Sequence, residues 1–320
     1  MLVTFESASK MIEEGKLLHI AGTESLLKKL PKGKWIGGST EYFMAKEGGK
    51  VSGDLLFVTE FPYSNYAIKT YNAEDIRQVT KDSFENGFTI LIIPFDSAVH
   101  KEYAQNAAGY ENMFLRNIVG WISGLNLNVK GQTPIVVSGN EAESFTDKAV
   151  ALHLQTPDDK TVSVNIINIF EQDTDSPLIE FTDEGFSIKK CKINGKEVVL
   201  ADYLTENTID TKLPLVGDYS GNDINISIKN IENGIVSFYA PVFKGIKYRM
   251  AKAVSDYESL FKTHISENKD SIPLFSCNCI LNFLYGDLEN KKLDVFSGPI
   301  TFGEIAYQLV NQTLVYVSTI

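Results

Sequence analysis

The run Thr89-Ile90-Leu91-Ile92-Ile93 has no polar alternation, the pattern of a β-strand covered on both faces. Around it, β-branched and aromatic segments predict strands over 17–21, 35–39, 42–45, 54–61 and 66–71, with Gly48-Gly49 as a hairpin turn. Helices are expected over 7–14 with Ser7 as cap, from Thr23 to near Pro31, and over 73–85, 98–108 and 111–123. Past Pro134 the pattern is β-rich, with strands over 135–137, 149–154 and 162–169. A polar bridge, Glu171 to Pro177, then marks the expected subdomain boundary. Asn194-Gly195 separates strands over 188–193 and 197–200, because Asn-Gly supplies the positive φ angles of a two-residue turn. Strands over 223–229, 235–240 and 247–251 and helices over 202–207 and 256–265 follow.

Two late strands carry the clearest candidate chemistry. One ends in Phe275-Ser276-Cys277-Asn278; the other runs Ser297-Gly298-Pro299-Ile300-Thr301-Phe302-Gly303-Glu304-Ile305, and a last strand closes over 311–317. Small or polar residues at the end of an apolar run sit where an α/β fold builds a site. The order predicts a mixed α/β fold of two related subdomains, 1–175 and 176–320, with largely antiparallel sheets flanked by helices.

Composition narrows the class. A chain of 320 residues with 43% hydrophobic and 22% charged residues has the profile of a globular protein with ample core. A formal charge of −11 without a Lys/Arg cluster speaks against nucleic acid, whose binding rests on phosphate neutralisation. The longest apolar runs are strand-sized, well short of the roughly 20 residues of a membrane span. No basic and apolar leader opens the chain, and three cysteines make no disulfide framework, so a cytoplasmic location is expected.

The candidate residues have two readings each. Cys277, Asn278, Thr301 and Glu304 could face one pocket for a small polar ligand, or Gly303 could be a backbone necessity, Glu304 a turn cap and Cys277 a small buried hydrophobe. Ser39 and Thr40, after Gly37-Gly38, could line the ligand or satisfy strand-end amides. Cys277 and Cys279 share a strand face but lack two further metal ligands at suitable spacing, and His19, His100, His153 and His264 are scattered. No nucleophile elbow, P-loop or dinucleotide fingerprint is present.

In order, these segments resemble the FIST module, a two-part bacterial sensory domain. The resemblance rests on Ile36-Gly37-Gly38-Ser39-Thr40, on Phe181-Thr182-Asp183-Glu184-Gly185 with Ile193-Asn194-Gly195 and Asp202-Tyr203, on Leu213-Pro214-Leu215, on Asn233 to Phe238 and Phe243-Lys244-Gly245, and on Ser276-Cys277-Asn278 with Phe302-Gly303-Glu304-Ile305. The chain departs from the family at Gly38, where a cysteine is usual, at Tyr42-Phe43, and at Ile280-Leu281, where an arginine is often found. The resemblance implies a sensor of small ligands such as amino acids, with Cys277, Asn278, Gly303 and Glu304 on one wall and Gly38, Ser39 and Thr40 on the other. Output would pass to a separate signalling protein, and one axial histidine for haem is a further implication. The rival expectations are an enzyme with Cys277 as nucleophile, and an interaction module docking through Tyr63, Tyr66 and Tyr71.

Overall fold

All eight residues of Gly87–Pro94 are buried, so the unalternating run does form a strand with both faces covered. The computed structural model describes residues 1–129, 131–219, 221–267, 272–293 and 295–319. Contacts divide the mixed α/β chain into two units. One comprises Met1–Ile167, Lys262–Leu309 and the chain from Thr313; the other comprises Asn168–Phe261 and Val310–Gln312. The chain thus leaves the first unit close to the boundary expected at Glu171 to Pro177, but later returns to it.

The first unit is built from one pattern used three times. The first repeat runs β1 (Leu2–Val3), α1 (Phe5–Glu13), β2 (Leu17–Gly22), α2 (Glu24–Leu27), β3 (Trp35–Ser39), the hairpin β4 (Tyr42–Ala45) and β5 (Gly48–Val51), and β6 (Leu56–Phe61). The second runs β7 (Tyr66–Tyr71), α3 (Val79–Asp82), β8 (Gly87–Pro94), α4 (Ala98–Asn106), β9 (Ile118–Ser123), β10 (Val136–Ser138) with β11 (Glu143–Phe145), and β12 (Ala149–Gln155). The third opens with β13 (Val162–Ile167), after which the second unit is inserted.

That second unit carries β14 (Ile179–Glu180), β15 (Gly185–Ile188), β16 (Lys190–Ile193), β17 (Lys196–Val199), α5 (Leu200–Glu206), β18 (Leu215–Asp218), β19 (Asp223–Ile226), β20 (Ile228–Glu232), β21 (Ile235–Val242) and β22 (Lys247–Met250). Its sheets have the orders β17-β16-β14-β22-β18-β19 and β15-β21-β20. The Asn194-Gly195 turn between β16 and β17 has φ of 48° and 83°, as its sequence predicts. The division falls within α6 (Tyr257–Glu267), and the third repeat goes on with β23 (Pro273–Cys279), α7 (Ile280–Tyr285), β24 (Gly298–Thr301), β25 (Glu304–Ala306), β26 (Gln308–Val310) and β27 (Leu314–Thr319).

In each repeat the two strands joined by a helix pair in parallel: β2 with β3, β8 with β9, β23 with β24. The last strand pairs antiparallel with the first of these, and the opening strand adds outside it. The hairpin never extends its own sheet. β10 pairs with β3, β25 with β9 and β4 with β24, so each repeat hands its hairpin to another and the exchange closes after three. The three resulting sheets have one order: β1-β6-β2-β3-β10-β11, β7-β12-β8-β9-β25-β26 and β13-β27-β23-β24-β4-β5.

Several local expectations are corrected. Residues 111–123 do not form a helix; a 3₁₀ turn at Met113–Leu115 precedes strand β9. The 297–305 segment is two strands in different sheets, β24 and β25, broken at Gly303 with φ of 150°. The hairpin turn falls at Lys46-Glu47, and Gly48-Gly49 opens β5, where a Cβ on Gly49 would run into Leu288 O. The first helix is capped by Thr4, whose Oγ1 accepts from Ser7 N. In place of a helix over 73–85 there is a 3₁₀ turn, Ile76–Gln78, running into the four-residue α3.

Candidate functional site

The repeats fix where strand ends meet. Gly37, Gly120 and Gly298 occupy one equivalent position: a Cβ on any of them would press on a carbonyl of the parallel partner strand, Ile20, Leu91 or Ser276. Counting three residues onward aligns Thr40, Ser123 and Thr301, buried hydroxyls at the carboxyl ends of β3, β9 and β24. Thr40 Oγ1 donates to Ile300 O at 2.8 Å and accepts from Tyr42 N. Ser39 Oγ donates to Gly124 O at 2.8 Å and accepts from Ile135 N at 3.0 Å. Both hydroxyls tie strand ends together. Gly38 is small for another reason: an added Cβ would lie 2.7 Å from Ile92 Cγ2 and 2.8 Å from Trp121 Cη2.

The Cys277, Asn278, Thr301 and Glu304 group does come together, but inside the core. Glu304 is fully buried. Its Oε2 accepts from Thr313 Oγ1 at 2.9 Å and from Thr313 N, and Thr301 Oγ1 lies 2.8 Å from its Oε1 and 3.2 Å from Asn278 O. Burial raises the Glu304 carboxyl to about 8, against hydrogen bonds from Thr301, Thr313 and Cys279 that favour the charged form. A neutral Glu304 resolves the proton count, since its O–H can donate to Thr301 while Thr301 donates to Asn278 O. Cys277 Sγ donates to Gly120 O at 3.3 Å, and burial pushes the thiol well above its ordinary value, with Glu304 nearby adding to the shift. A nucleophilic cysteine needs the opposite shift.

Two open cavities lie beside this core. The first, of about 380 Å³, is lined by Thr23, Glu24, Ser25, Lys28, Ser39, Thr40, Glu41, Gly124, Leu125 and Gln132. It sits at the carboxyl ends of β2, β3 and β9. The second, of about 550 Å³, is lined by Phe95, Asp96, Ser97, Leu125, Asn126, Leu127, Val129, Gln132, Thr133, Pro134, Thr146 and Phe302. It sits at the carboxyl ends of β8 and β9 and the start of α4. Leu125 and Gln132 line both. Of the expected site residues, Ser39 and Thr40 line the first cavity; Gly38, Cys277, Asn278, Thr301, Gly303 and Glu304 line neither.

The cavity-lining residues 124–127, 129 and 132–134 were missed by sequence reasoning because they follow a segment read as helix. Once β9 is recognised as a strand, its carboxyl end becomes the place to look. Neither cavity is lined by histidine. His153 has both ring nitrogens engaged, by Tyr71 Oη at 2.9 Å and Thr89 Oγ1 at 2.8 Å. Tyr71 is therefore a core residue, and Tyr63 and Tyr66 are half-buried, so the aromatic docking face expected there is not an exposed one. Among the described residues no cluster of three or more His, Cys, Asp or Glu could hold a metal, and no helix is long and apolar enough to cross a membrane.

A family described as one of unknown function matches the chain over residues 3–320. No curated protein and no solved structure matches it.

Proposed function

The chain belongs to this family, DUF6976, and from its own geometry we propose that it binds a small molecule at the strand ends and reports occupancy to a separate protein. The observation that carries this is the coincidence of two open cavities with the carboxyl ends of parallel strand pairs, where α/β folds bind ligands. A volume of about 550 Å³ falls in the range of small-molecule sites, roughly 300–1,000 Å³. This reading keeps the sensory role implied by the FIST resemblance and the cytoplasmic location expected from the chain's start and cysteine content, and moves the ligand from the Cys277–Glu304 group to the adjoining cavities.

The test is native mass spectrometry with an absorbance spectrum on freshly purified protein, for the wild type and for Gln132→Trp. Gln132 is exposed and lines both cavities, so an indole there obstructs them without disturbing the core. The expected result is a small bound mass in the wild type that the variant lacks. An adduct kept by the variant would place the ligand elsewhere. A second reading, docking of another protein, is favoured by adjacent Phe114 and Leu115, which are 60% and 74% exposed.

A further inference from the structure

The two cavities differ in chemistry in a way that specifies their occupant. Glu41 lines the first; its Oε2 accepts from Asn126 Nδ2 at 2.7 Å, and Asn126 lines the second. That hydrogen bond spans the step from one cavity to the other. Glu41 forms no ion pair among the described residues, whereas the other lining charges are matched: Glu24 with Lys28, and Asp96 with Lys101 at 3.0 Å. The second cavity presents Phe95, Leu127, Val129, Pro134 and Phe302, with Leu127 and Val129 substantially exposed.

The internal repeat supplies an independent clue. The cavities lie where the first repeat meets the second and the second meets the third. Five residues past the repeat glycine, Leu125 lines both, and its equivalent in the first repeat is Tyr42. Where the third repeat meets the first, Tyr42 packs edge-on against Phe283 of α7 at 5.8 Å between centroids, both rings buried. At that junction an aromatic pair of the chain itself thus holds the position that Leu125 holds beside the two cavities.

We infer that the two cavities form one cleft for an aromatic or aliphatic amine, its ammonium on Glu41 and its apolar body against Phe95, Leu127 and Phe302. This rests on the ligand-binding reading above and sharpens it. An amino acid fits less well, because its carboxylate would share the cleft with the unmatched Glu41 while Lys28 is already committed to Glu24.

The experiment is calorimetric titration of the full chain with 2-phenylethylamine, L-phenylalanine and 3-phenylpropionate, on the wild type, Glu41→Gln and Leu127→Ser. The amine should bind the wild type, L-phenylalanine at least tenfold more weakly, and 3-phenylpropionate not measurably. Glu41→Gln, which retains an acceptor for Asn126, should weaken the amine tenfold or more, and Leu127→Ser several-fold. Circular dichroism melts identify a variant that has lost its fold; Leu127 is 48% exposed, so its replacement keeps the question answerable. Equal affinity for amine and amino acid, or no effect of Glu41→Gln, overturns the inference. Should no amine bind while another compound class stabilises the wild type and not Gln132→Trp, the inference fails and the ligand-binding reading stands. If no compound of any class separates those two proteins, both fail.

Discussion

Trp121 Nε1 donates to His19 Nε2 at 2.9 Å, joining the middle strands of two repeats inside the core. His19 also meets Phe275 of the third repeat edge-on at 5.1 Å, so one residue from each repeat converges here. With Nε2 accepting, the imidazole carries its proton on Nδ1, which has no partner among the described residues. The neutral ring is thereby enforced, and burial holds its pKa down at about 3.

The first prediction concerns acid. A histidine whose folded pKa lies below its unfolded 6.5 contributes stability that is fully present above pH 6.5 and lost as pH falls toward about 3. At roughly 1.4 kcal/mol per pH unit, the wild type should lose about 2 kcal/mol relative to His19→Phe between pH 6.5 and 5. Urea unfolding across that range measures it; parallel profiles for the two proteins would mean His19 is not held neutral.

Glu304 has the opposite sign. Its folded pKa of about 8 lies above the unfolded 4.5, so its contribution is fully present below pH 4.5 and lost as pH rises through 8. The stability of the wild type relative to Glu304→Gln should fall by about 1.4 kcal/mol per unit between pH 5 and 8. A difference that grows with pH would indicate a carboxylate stabilised as an anion.

The repeat glycines give a third prediction. Gly120→Ala and Gly298→Ala place a methyl group against backbone carbonyls that cannot move aside, and Gly38→Ala places one against Ile92 and Trp121. Each should destabilise by about 1–3 kcal/mol or more. Gly131→Ala has nothing near its Cβ, so steric overlap is absent there; its positive φ of 81° leaves only a smaller strain cost. Thermal melts of the four variants rank them.

Thiol chemistry gives the fourth. Cys191, Cys277 and Cys279 are all buried, and burial raises Cys191 to about 11 and Cys277 well above its ordinary value. Iodoacetamide at pH 7.5 should leave the folded protein unlabelled over hours and modify it promptly in urea. Rapid native labelling of Cys277 would revive a nucleophilic role.

The sequence made the individual strands readable where period and composition agreed. Gly87–Pro94, Trp35–Ser39, Tyr42–Ala45 and Tyr66–Tyr71 all form at or near their expected places. It misled at Ile118–Ser123, a six-residue apolar run whose length and β-branched content fit a strand better than the helix assigned to it. The threefold repeat was not legible, because equivalent positions hold unlike residues. Gly38, Trp121 and Pro299 follow the three glycines, and the missing side chain of Gly38 leaves room for the Trp121 indole. The insertion of residues 168–261 into the third repeat conceals its length as well. The candidate site was half legible: Ser39 and Thr40 do reach a cavity wall, whereas the attraction of Cys277 and Glu304 came from polar residues that the core itself uses.

The most direct test of the central claim is a thermal-shift screen of small polar and amphiphilic compounds on the wild type and Gln132→Trp side by side. Ligand binding at the paired cavities predicts compounds that raise the melting temperature of the wild type in a concentration-dependent way and leave the variant unmoved. The claim is contradicted if every stabilising compound acts equally on both proteins, or if none stabilises the wild type at all.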